Sequence, residues 1–267
     1  MLIRSPRESD WEQFFHLVAT EGWRVPQIER QLFQGELAQC ARVLVVDDEF
    51  SGLVTFVTHE KSGWIGNLIV PGHLRGQGYG GFLFKAALKA LSQSGTSSVW
   101  LTASTLGQPI YEKAGFVAVD RIERWLLLAD QQSSSDFKDV QQGALLQADR
   151  SAWKENRSSL LSQLLKNGRV YRCHESVALL QPGVDMKIIG PWYGRNKAHH
   201  RQLLRELVAA ATPASELVID LLASSSLQQA LTDSGFVCRG SNQLMIKGEL
   251  SADLAGMVSL ASLGSIG

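Results

Sequence analysis

The segment Arg75-Gly76-Gln77-Gly78-Tyr79-Gly80 decides the fold, because it joins two stretches of different periodicity. Residues 64–70 are mostly apolar and predict a strand, whereas the stretch from Gly81 to Leu91 predicts a helix. A glycine-rich turn from a strand into a helix leaves unpaired backbone N–H groups at the helix start, where the helix dipole adds partial positive charge. Since glycine has no Cβ, a bulky anion can reach these groups. The segment therefore predicts a site for a phosphorylated ligand.

Two common phosphate-binding motifs differ from this segment in their spacing. A P-loop requires Lys-Ser/Thr directly after its last glycine, and neither follows Gly80. A dinucleotide fingerprint requires Gly-x-Gly-x-x-Gly and an acidic residue about 20 residues further on, where this chain has Trp100 and Leu101. The strict alternation of glycines fits neither motif. An ordinary glycine-rich turn is the structural alternative.

A second motif, Tyr111-Glu112-Lys113-Ala114-Gly115-Phe116, follows a predicted strand at 98–103 and a short helical stretch. Gly115 suits a left-handed helix C-cap, after which Phe116 begins the next predicted strand. Taken alone, Tyr111 fits a half-buried helix residue better than a catalytic one. The two motifs together, in this order along the chain, are more informative than Tyr111 alone.

Together the two motifs resemble the GCN5-related N-acetyltransferase (GNAT) superfamily. Residues 75–80 are similar to the family's acyl-CoA loop, (Arg/Gln)-x-x-Gly-x-(Gly/Ala), and residues 111–116 to its Tyr-x-x-x-Gly-Phe hallmark. The resemblance covers residues 1–130 well and residues 137–248 weakly. It implies an acyltransferase that uses acetyl-CoA as co-substrate.

The elements predicted for the first half follow the order β-α-α-β-β-β-α-β-α-β, which agrees with that resemblance. Ser9 or Asp10 is expected to cap the first helix, and the second is expected to run from Pro26 to Leu37. The polar residues 130–136 predict a linker. We therefore expect a GNAT domain at 1–130, a second domain at 137–250 and a tail at 251–267.

The second half repeats the first at a constant offset, since Gly115-Phe116-Val117 recurs as Gly235-Phe236-Val237. The repeat has lost the features of the site. The corresponding pairs are Gly78 and Ala198, Gly80 and His200, and Tyr111 and Leu231. We thus expect an α/β (α+β) protein with two GNAT-like lobes, each a mixed, mostly antiparallel twisted sheet flanked by helices. The second lobe is expected to be degenerate and to lack the cofactor.

The resemblance implies a role for each residue of the site. Backbone groups of Leu68, Ile69 and Val70 would pair with the pantetheine arm where the fourth strand leaves its neighbour, and would polarise the thioester carbonyl. Loop residues would bind the pyrophosphate, namely Arg75, Gly76, Gln77, Gly78, Tyr79, Gly80 and Gly81.

Three side chains of the expected site carry separate expectations. The Arg75 side chain either contacts the pyrophosphate or caps a strand end. Ser104 stands where many members have an asparagine, so the contact with pantetheine is expected to be weakened or altered. Tyr111, with an unperturbed pKa of about 10, is protonated at neutral pH and is placed to protonate the leaving CoA thiolate.

The general base is not identified by the sequence. Many relatives carry a glutamate on the fourth strand, where this chain has none. His73 is expected to face solvent, and His59 and Glu60 are expected to be exposed hairpin residues. A chain of water molecules is the default proton acceptor.

Four further features carry mainly structural interpretations. Asp220 lies within an apolar strand and needs a partner, or else faces the cleft between lobes. Trp192 and Tyr193 either line a groove or pack. Trp23 lies where the resemblance implies a residue that shapes the acceptor pocket, although packing is the preferred interpretation. His199 and its neighbour lack a second ligand cluster, so no metal is expected.

Composition limits the class of protein. The 267 residues suit one large or two ordinary domains, and 45% hydrophobic residues can form real cores. A net charge of zero gives no electrostatic footprint for nucleic acid. Three scattered cysteines suit a reducing compartment. Since no apolar run approaches the ~20 residues of a spanning helix, we expect a cytoplasmic protein with no membrane or nucleic-acid partner.

The sequence thus predicts transfer of an acetyl group from acetyl-CoA to a primary amine, first of a small molecule and second of a protein. The alternative is a non-catalytic acyl-CoA-binding sensor or protein-interaction module. Acceptor identity and oligomeric state are not determined by the sequence.

Overall fold

The computed structural model describes residues 1–128, 141–211 and 216–267, and the predicted linker at 130–136 lies outside these ranges. The elements of the first half are β1 (Leu2–Arg4), α1 (Glu8–Thr20), α2 (Gln27–Gln34), β2 (Ala41–Val46), β3 (Glu49–Thr58), β4 (Ser62–Ile69), α3 (Tyr79–Gln93), β5 (Ser98–Ala103), α4 (Gln108–Lys113) and β6 (Val117–Leu127). Those of the second half are α5 (Gly143–Trp153), α6 (Ser158–Leu165), β7 (Arg169–Cys173), β8 (Ser176–Gln181), β9 (Met186–Tyr193), α7 (Lys197–Ala210), β10 (Glu216–Leu222), α8 (Gln228–Asp233), β11 (Val237–Gly248) and β12 (Met257–Ser259).

The element order predicted for the first half is confirmed, with two differences in its first helices. The N-cap of α1 is Arg7, whose backbone N–H donates to Asp10 Oδ2 at 2.6 Å, so Asp10 caps from within the first turn and Ser9 does not cap. Helix α2 ends at Gln34 because Gly35 follows as its C-cap, so the prediction of a helix to Leu37 was too long.

A single sheet runs through both halves in the order β1-β2-β3-β4-β5-β11-β6-β10-β12-β9-β8-β7. Its pairs are antiparallel except β4–β5 and β9–β10, which are parallel. Helices cover both faces. The predicted class, a mixed and mostly antiparallel sheet flanked by helices, is confirmed.

The two halves exchange their last long strands. Strand β11 pairs with β5, for example Leu244 with Thr102, and takes the position beside β5. Strand β6 pairs instead with β10, for example Glu123 with Leu221. Because β6 and β11 also pair with each other, the exchange joins both halves into one continuous sheet.

Residues beyond 251 belong to this sheet and its core. Strand β12 inserts between β9 and β10, pairing Ser259 with both Trp192 and Leu221. The segment that follows, 260–267, is largely buried between the two halves.

The sheet separates two sets of core residues in the first half. Trp64 and Ile69 of β4 join the core under α1 and α2, together with residues of α5 and α6. Ile65 faces the other side and packs with Leu83 and Phe84 of α3. Among the described residues, no helix is long and apolar enough to cross a membrane.

Candidate functional site

The glycine-rich loop leaves the start of α3 open. Gly76 and Gly78 adopt the left-handed region, with φ of +80° and +84°, which favours glycine. A Cβ added at Gly76, Gly78 or Gly81 would meet no atom within 4 Å, so the loop surface is free. Gly78 is the N-cap of α3, and no described side chain supplies a cap hydrogen bond there. The Gly81 N–H donates to the Gly78 carbonyl at 3.0 Å, so the amides that precede it at the helix start are the ones available to an anion.

Strand β4 separates from β5 directly before this loop. Their pairing covers Ser62–Ile65 opposite 98–101, whereas β4 continues to Ile69 paired only with β3. The opened edge begins at Gly66, two residues before the expected start at Leu68. It includes Leu68 and Ile69, and Val70 follows directly after the strand. It gives the sheet a gap that leads from its centre to the loop.

A bulge in β4 lies within the opened edge. Leu53 of β3 faces Ile69, and Thr55 faces Gly66, so three steps along β4 match two along β3. Asn67 in this bulge has a φ of +49°, an uncommon value for a residue with a side chain. The bulge turns the backbone groups of β4 where the gap opens.

Tyr111 lies on α4, which follows the other strand of the gap. Its side chain is buried against Phe84 and Phe116, with ring centroids 5.0 Å and 6.2 Å away. Burial raises the pKa of Tyr111 to about 12. The phenol is therefore protonated at neutral pH and is a weaker acid than tyrosine in water.

Two residues that were expected to contact the cofactor, Arg75 and Ser104, form hydrogen bonds within the protein. Arg75 Nε donates to the carbonyl oxygen of Val70 at 3.0 Å, and its Nη2 lies 2.6 Å from Glu21 Oε1. Of the two alternatives for Arg75, this geometry favours the strand-end cap. Ser104 is exposed, and its Oγ accepts from the Gly107 N–H at 3.3 Å.

The residues weighed as bases do not gather at the gap. His73 and Glu60 are exposed, as expected. The prediction for His59 was wrong, since it is half-buried with an Nε2 that lacks a partner among the described residues. Burial and the nearby Arg157 lower the pKa of His59 well below its usual value. The second half covers this end of β3, which the local sequence does not reveal.

Four further residues carried expectations from the sequence, namely Asp220, Trp192, Tyr193 and Trp23. All of them except Trp23 are paired or packed within the fold. Asp220 accepts from Nε and Nη2 of Arg124 at 2.7 Å each, which confirms the structural interpretation of this buried carboxylate. Trp192 and Tyr193 pack in the core. Trp23 is 42% exposed, so the prediction that it packs was wrong.

The segment 260–267 reaches the gap from the side of α1 and α2. Trp64 Nε1 donates to the Gly264 carbonyl at 3.0 Å. A Cβ added at Gly66 would lie 2.5 Å from Ser265 Cα, so the segment touches β4 backbone where the gap begins. A Cβ added at Gly264 would lie 2.6 Å from Thr102 Oγ1, on the β5 side. Residues 264 and 265 thus cross the mouth of the gap.

A buried carboxylate, Glu29 of α2, lies under this crossing. Its Oε2 accepts from the Ser265 hydroxyl, and its Oε1 accepts from the Leu263 N–H at 3.4 Å. Burial is the main cause that raises the pKa of Glu29 to about 7. Sequence reasoning missed this residue, because its partners lie at the other end of the chain.

A cleft of about 800 Å³ adjoins the loop on the side of α1. Gln77 and Tyr79 of the loop line it, and it also contains the carboxylates of Glu12, Asp47 and Glu49. The lining therefore favours a cation. Among the described residues, no group of three or more His, Cys, Asp or Glu side chains is arranged to hold a metal.

The corresponding helix start and strand gap are filled in the second half. Asn196 caps α7 through its side chain, which accepts from the Ala198 N–H at 2.9 Å. His200 is only 3% exposed and its ring lies 5.8 Å from that of Trp192. Between β9 and β10, where the first half has its gap, β12 is inserted.

Comparison of the sequence with protein-family models identifies the family to which this site belongs. Residues 9–124 match the model described as the acetyltransferase (GNAT) domain. These residues form a GNAT domain. Through this domain the protein is an acyltransferase, of a family that takes its acyl group from acyl-CoA. The matched residues include the loop, the gap and Tyr111, but not the second half.

Solved structures share the fold of the whole chain at low sequence identity. A candidate acetyltransferase from Pyrococcus horikoshii matches with a TM-score of 0.80 and 18% identity, over 98% of this chain and 94% of its own. A GCN5-related N-acetyltransferase from Sphaerobacter thermophilus matches with a TM-score of 0.69 and 15% identity, over 96% and 98%. Eis1 from Mycobacterium abscessus matches with a TM-score of 0.54 and 14% identity, over 93% and 74%. No curated protein matches the chain.

Proposed function

We propose that the first half moves an acetyl group from acetyl-CoA to a primary amine of a small molecule. The observation that carries this proposal is the continuity of the opened β4 edge with the uncapped start of α3. A long thioester with a phosphate group at some distance from its reacting carbon fits such a path.

The residues present fit acetyl-CoA. The loop from Arg75 to Gly81 offers open space to the pyrophosphate, because added Cβ atoms at three of its glycines meet nothing. The amides between these two end residues would bind it. Backbone groups of Leu68, Ile69 and Val70 are available to the pantetheine arm. Those in the bulge would polarise the thioester carbonyl, as an oxyanion site does.

The reaction is an attack by the amine nitrogen on the thioester carbonyl carbon, followed by cleavage of the carbon–sulfur bond. The amine must be neutral, and the departing CoA thiolate must gain a proton. Tyr111 is proposed to hold that proton near the sulfur. Because burial makes Tyr111 a weaker acid, it donates a hydrogen bond first and its proton only as charge builds on sulfur.

One feature bears on the acceptor. The carboxylates of Glu12, Asp47 and Glu49 in the cleft beside the loop favour a cationic amine such as a polyamine, an amino acid or an aminoglycoside. A protein N-terminus or lysine is the second choice. The sensor alternative lacks a specific observation in its favour.

We also propose that the second half, with the expected bounds 137–250, is a degenerate copy that binds no acetyl-CoA. The Asn196 cap, the buried His200 and the inserted β12 support this proposal. The residues expected as a tail, 251–267, are better assigned to the second half and its contact with the gap. A cytoplasmic location stays a prediction.

The test is thiol release from acetyl-CoA with a panel containing spermidine, lysine and kanamycin, with acetyl-CoA binding measured by calorimetry. We expect binding at one site per chain and thiol release with at least one amine. Binding without thiol release from any member would replace the proposal with the sensor.

A further inference from the structure

We propose that a cavity between the two halves binds a free α-amino acid with an aliphatic side chain. The cavity has a volume of about 220 Å³ and lies between the end of α2, the end of β3 and the start of α6. Pockets for drug-sized ligands measure about 300–1,000 Å³, so this one suits a smaller metabolite. The site lies outside the proposed acyl transfer and does not depend on it.

The cavity is separate from the path proposed for acetyl-CoA. His59 lines it and follows the end of β3, where Thr58 pairs with Gly63 of β4. The gap between β4 and β5 opens from Gly66 onwards, which is about 10 Å further along the strand. Among the described residues, none of the glycine-rich loop or of α4 lines this cavity. A ligand here would therefore contact the junction of the halves and not the reacting thioester.

The cavity is open to solvent and has a buried inner end. Glu60, Asn156 and Ser159 of its lining are exposed and form its mouth. Arg157 and Leu160 of the same lining are buried. A small ligand can therefore enter from solvent with one end directed towards Arg157.

Arg157 is a buried cation whose hydrogen-bonding capacity is not used. The residue is 2% exposed, and its Nε and Nη1 have no hydrogen-bond acceptor among the described residues. Its Nε lies 3.5 Å from Asp149 Oδ2, and its Nη2 donates to the Gly267 carbonyl oxygen at 3.5 Å. Because an unsatisfied buried donor is costly, a ligand oxygen at Nη1 would be favourable.

The start of α6 adds donors at the same place. Arg157 is the N-cap and supplies no side-chain cap, and the Ser158 N–H is taken by Asn156 Oδ1 at 3.0 Å. The amides of Ser159 and Leu160, in the first turn, have no partner within the helix. Donors at a helix start beside a guanidinium favour a carboxylate group.

The other charged groups of the lining exclude a simple anion. Glu36 and Glu60 are both exposed at the mouth, so the carboxylates of the lining outnumber its one guanidinium. Glu36 is paired with Lys166 at 3.3 Å, whereas Glu60 Oε2 accepts only the Asn156 N–H at 2.7 Å. A ligand that carries an ammonium group near Glu60 and a carboxylate near Arg157 matches this distribution.

His59 lies between these two charged regions. Its Nε2 is buried and has no partner within the described part of the chain. Burial and the nearby Arg157 lower the pKa of His59 well below its usual value, so the ring is neutral. A neutral imidazole can pair with either charged group of an amino acid.

An apolar wall completes the cavity. Leu32, Val57 and Leu160 are buried and line it, and Leu37 is half-buried beside them. An aliphatic side chain placed against this wall would lose its contact with water, which adds affinity. The lining thus offers one region each for the carboxylate, the ammonium and the side chain of one amino acid.

Calorimetry on the full chain tests the proposal with L-leucine and its two halves in charge, 4-methylpentanoate and isopentylamine. We expect L-leucine to bind saturably at one site per chain. Isopentylamine should bind at least about 10-fold more weakly, since Arg157 then stays unpaired. The loss for 4-methylpentanoate should be smaller, about 3- to 5-fold, because Glu60 is exposed. Absence of saturable binding of L-leucine overturns the proposal.

Two variants locate the bound ligand by crossed effects. Glu60→Gln should weaken L-leucine about 3- to 5-fold and leave 4-methylpentanoate unchanged. Arg157→Met should weaken L-leucine at least about 10-fold and leave isopentylamine unchanged. Glu249→Gln, an exposed carboxylate outside the cavity, is the control with wild-type affinity for all three.

Unchanged affinity for L-leucine in Glu60→Gln, or an equal loss for L-leucine and 4-methylpentanoate, would place the ligand elsewhere and overturn the proposal. This holds even if Arg157→Met does not fold. Saturating acetyl-CoA should not change the affinity for L-leucine, and competition between the two would also overturn a separate site. Thiol release is not used in any of these measurements, so their failure leaves the proposed acyl transfer untouched.

Discussion

The two halves place a strand, a loop and a helix at equivalent positions, yet only one leaves the helix start open. At α3 the N-cap is Gly78 in a left-handed conformation, and its missing Cβ faces open space. At α7 the cap is Asn196, whose side chain already accepts the Ala198 N–H. Two similar strand-to-helix connections thus differ at the cap, where Gly78 is left-handed and leaves the helix start open and Asn196 is extended and closes it with its own side chain.

The neighbouring strands show the same contrast. In the first half the gap between β4 and β5 is open along β4 from Gly66. In the second half β12 fills the space between β9 and β10. The difference teaches that the second half fills with its own chain the space that the first half leaves open. Under the proposed function, β12 stands at the position that corresponds to the pantetheine arm.

The largest effect is expected from a β-branched residue in the open loop. Gly78→Val should weaken acetyl-CoA binding by at least about 100-fold, because it strains a left-handed position by about 1–2 kcal/mol and fills the phosphate space. Ala198→Val, at the equivalent position, should leave affinity unchanged. Calorimetry measures the acetyl-CoA affinity of both variants. An equal loss of affinity in the two would contradict the proposed difference between the halves.

The second effect concerns the pH dependence of stability. The folded-state pKa of Glu29 is raised from 4.5 to about 7, so folding favours its protonated form. Burying the ionised carboxylate lowers the free energy of unfolding. This loss is absent below pH 4.5, grows as pH rises, and reaches about 3 kcal/mol above pH 7.

Glu29→Gln should therefore be increasingly more stable than wild type between pH 5 and 8, as measured by urea unfolding. Glu36→Gln is the control, with no such trend. A stability difference that stays constant with pH would show that Glu29 has an ordinary pKa.

Tyr111→Phe should lower kcat about 10- to 100-fold, since the leaving thiolate loses its hydrogen-bond donor. Acetyl-CoA affinity should not change, because the ring still packs on Phe84. Tyr171→Phe, at a buried tyrosine of the second half, is the matched control. Steady-state thiol release measures both, and an unchanged kcat in Tyr111→Phe would remove this residue from the mechanism.

The smallest effect is expected at the filled helix start. Asn196→Ala should lower the free energy of unfolding by about 1 kcal/mol through loss of the cap. Acetyl-CoA binding and thiol release should stay at wild-type levels. Asn196→Ser, which can still cap, should recover most of the stability, and a gain of a second binding site in either variant would contradict a degenerate lobe.

Much of the first half could be predicted from the sequence because its signals are local. The glycines from Gly76 to Gly80 and the Tyr111 motif indicated the loop and α4 by spacing alone. The bulge at Asn67 could not be predicted, since it depends on register against β3. Glu29 and His59 gained their environments from segments more distant in sequence, which periodicity cannot detect.

The exchanged strands have a consequence for synthesis of the chain. When the first half leaves the ribosome, β5 has no neighbour on one side, because its partner β11 is encoded near the end of the sequence. Strand β6 likewise awaits β10. Exposed strand edges favour aggregation, so the nascent chain should pass through an aggregation-prone stage before β10 and β11 are made. The first half should not be obtainable as a separately expressed fragment.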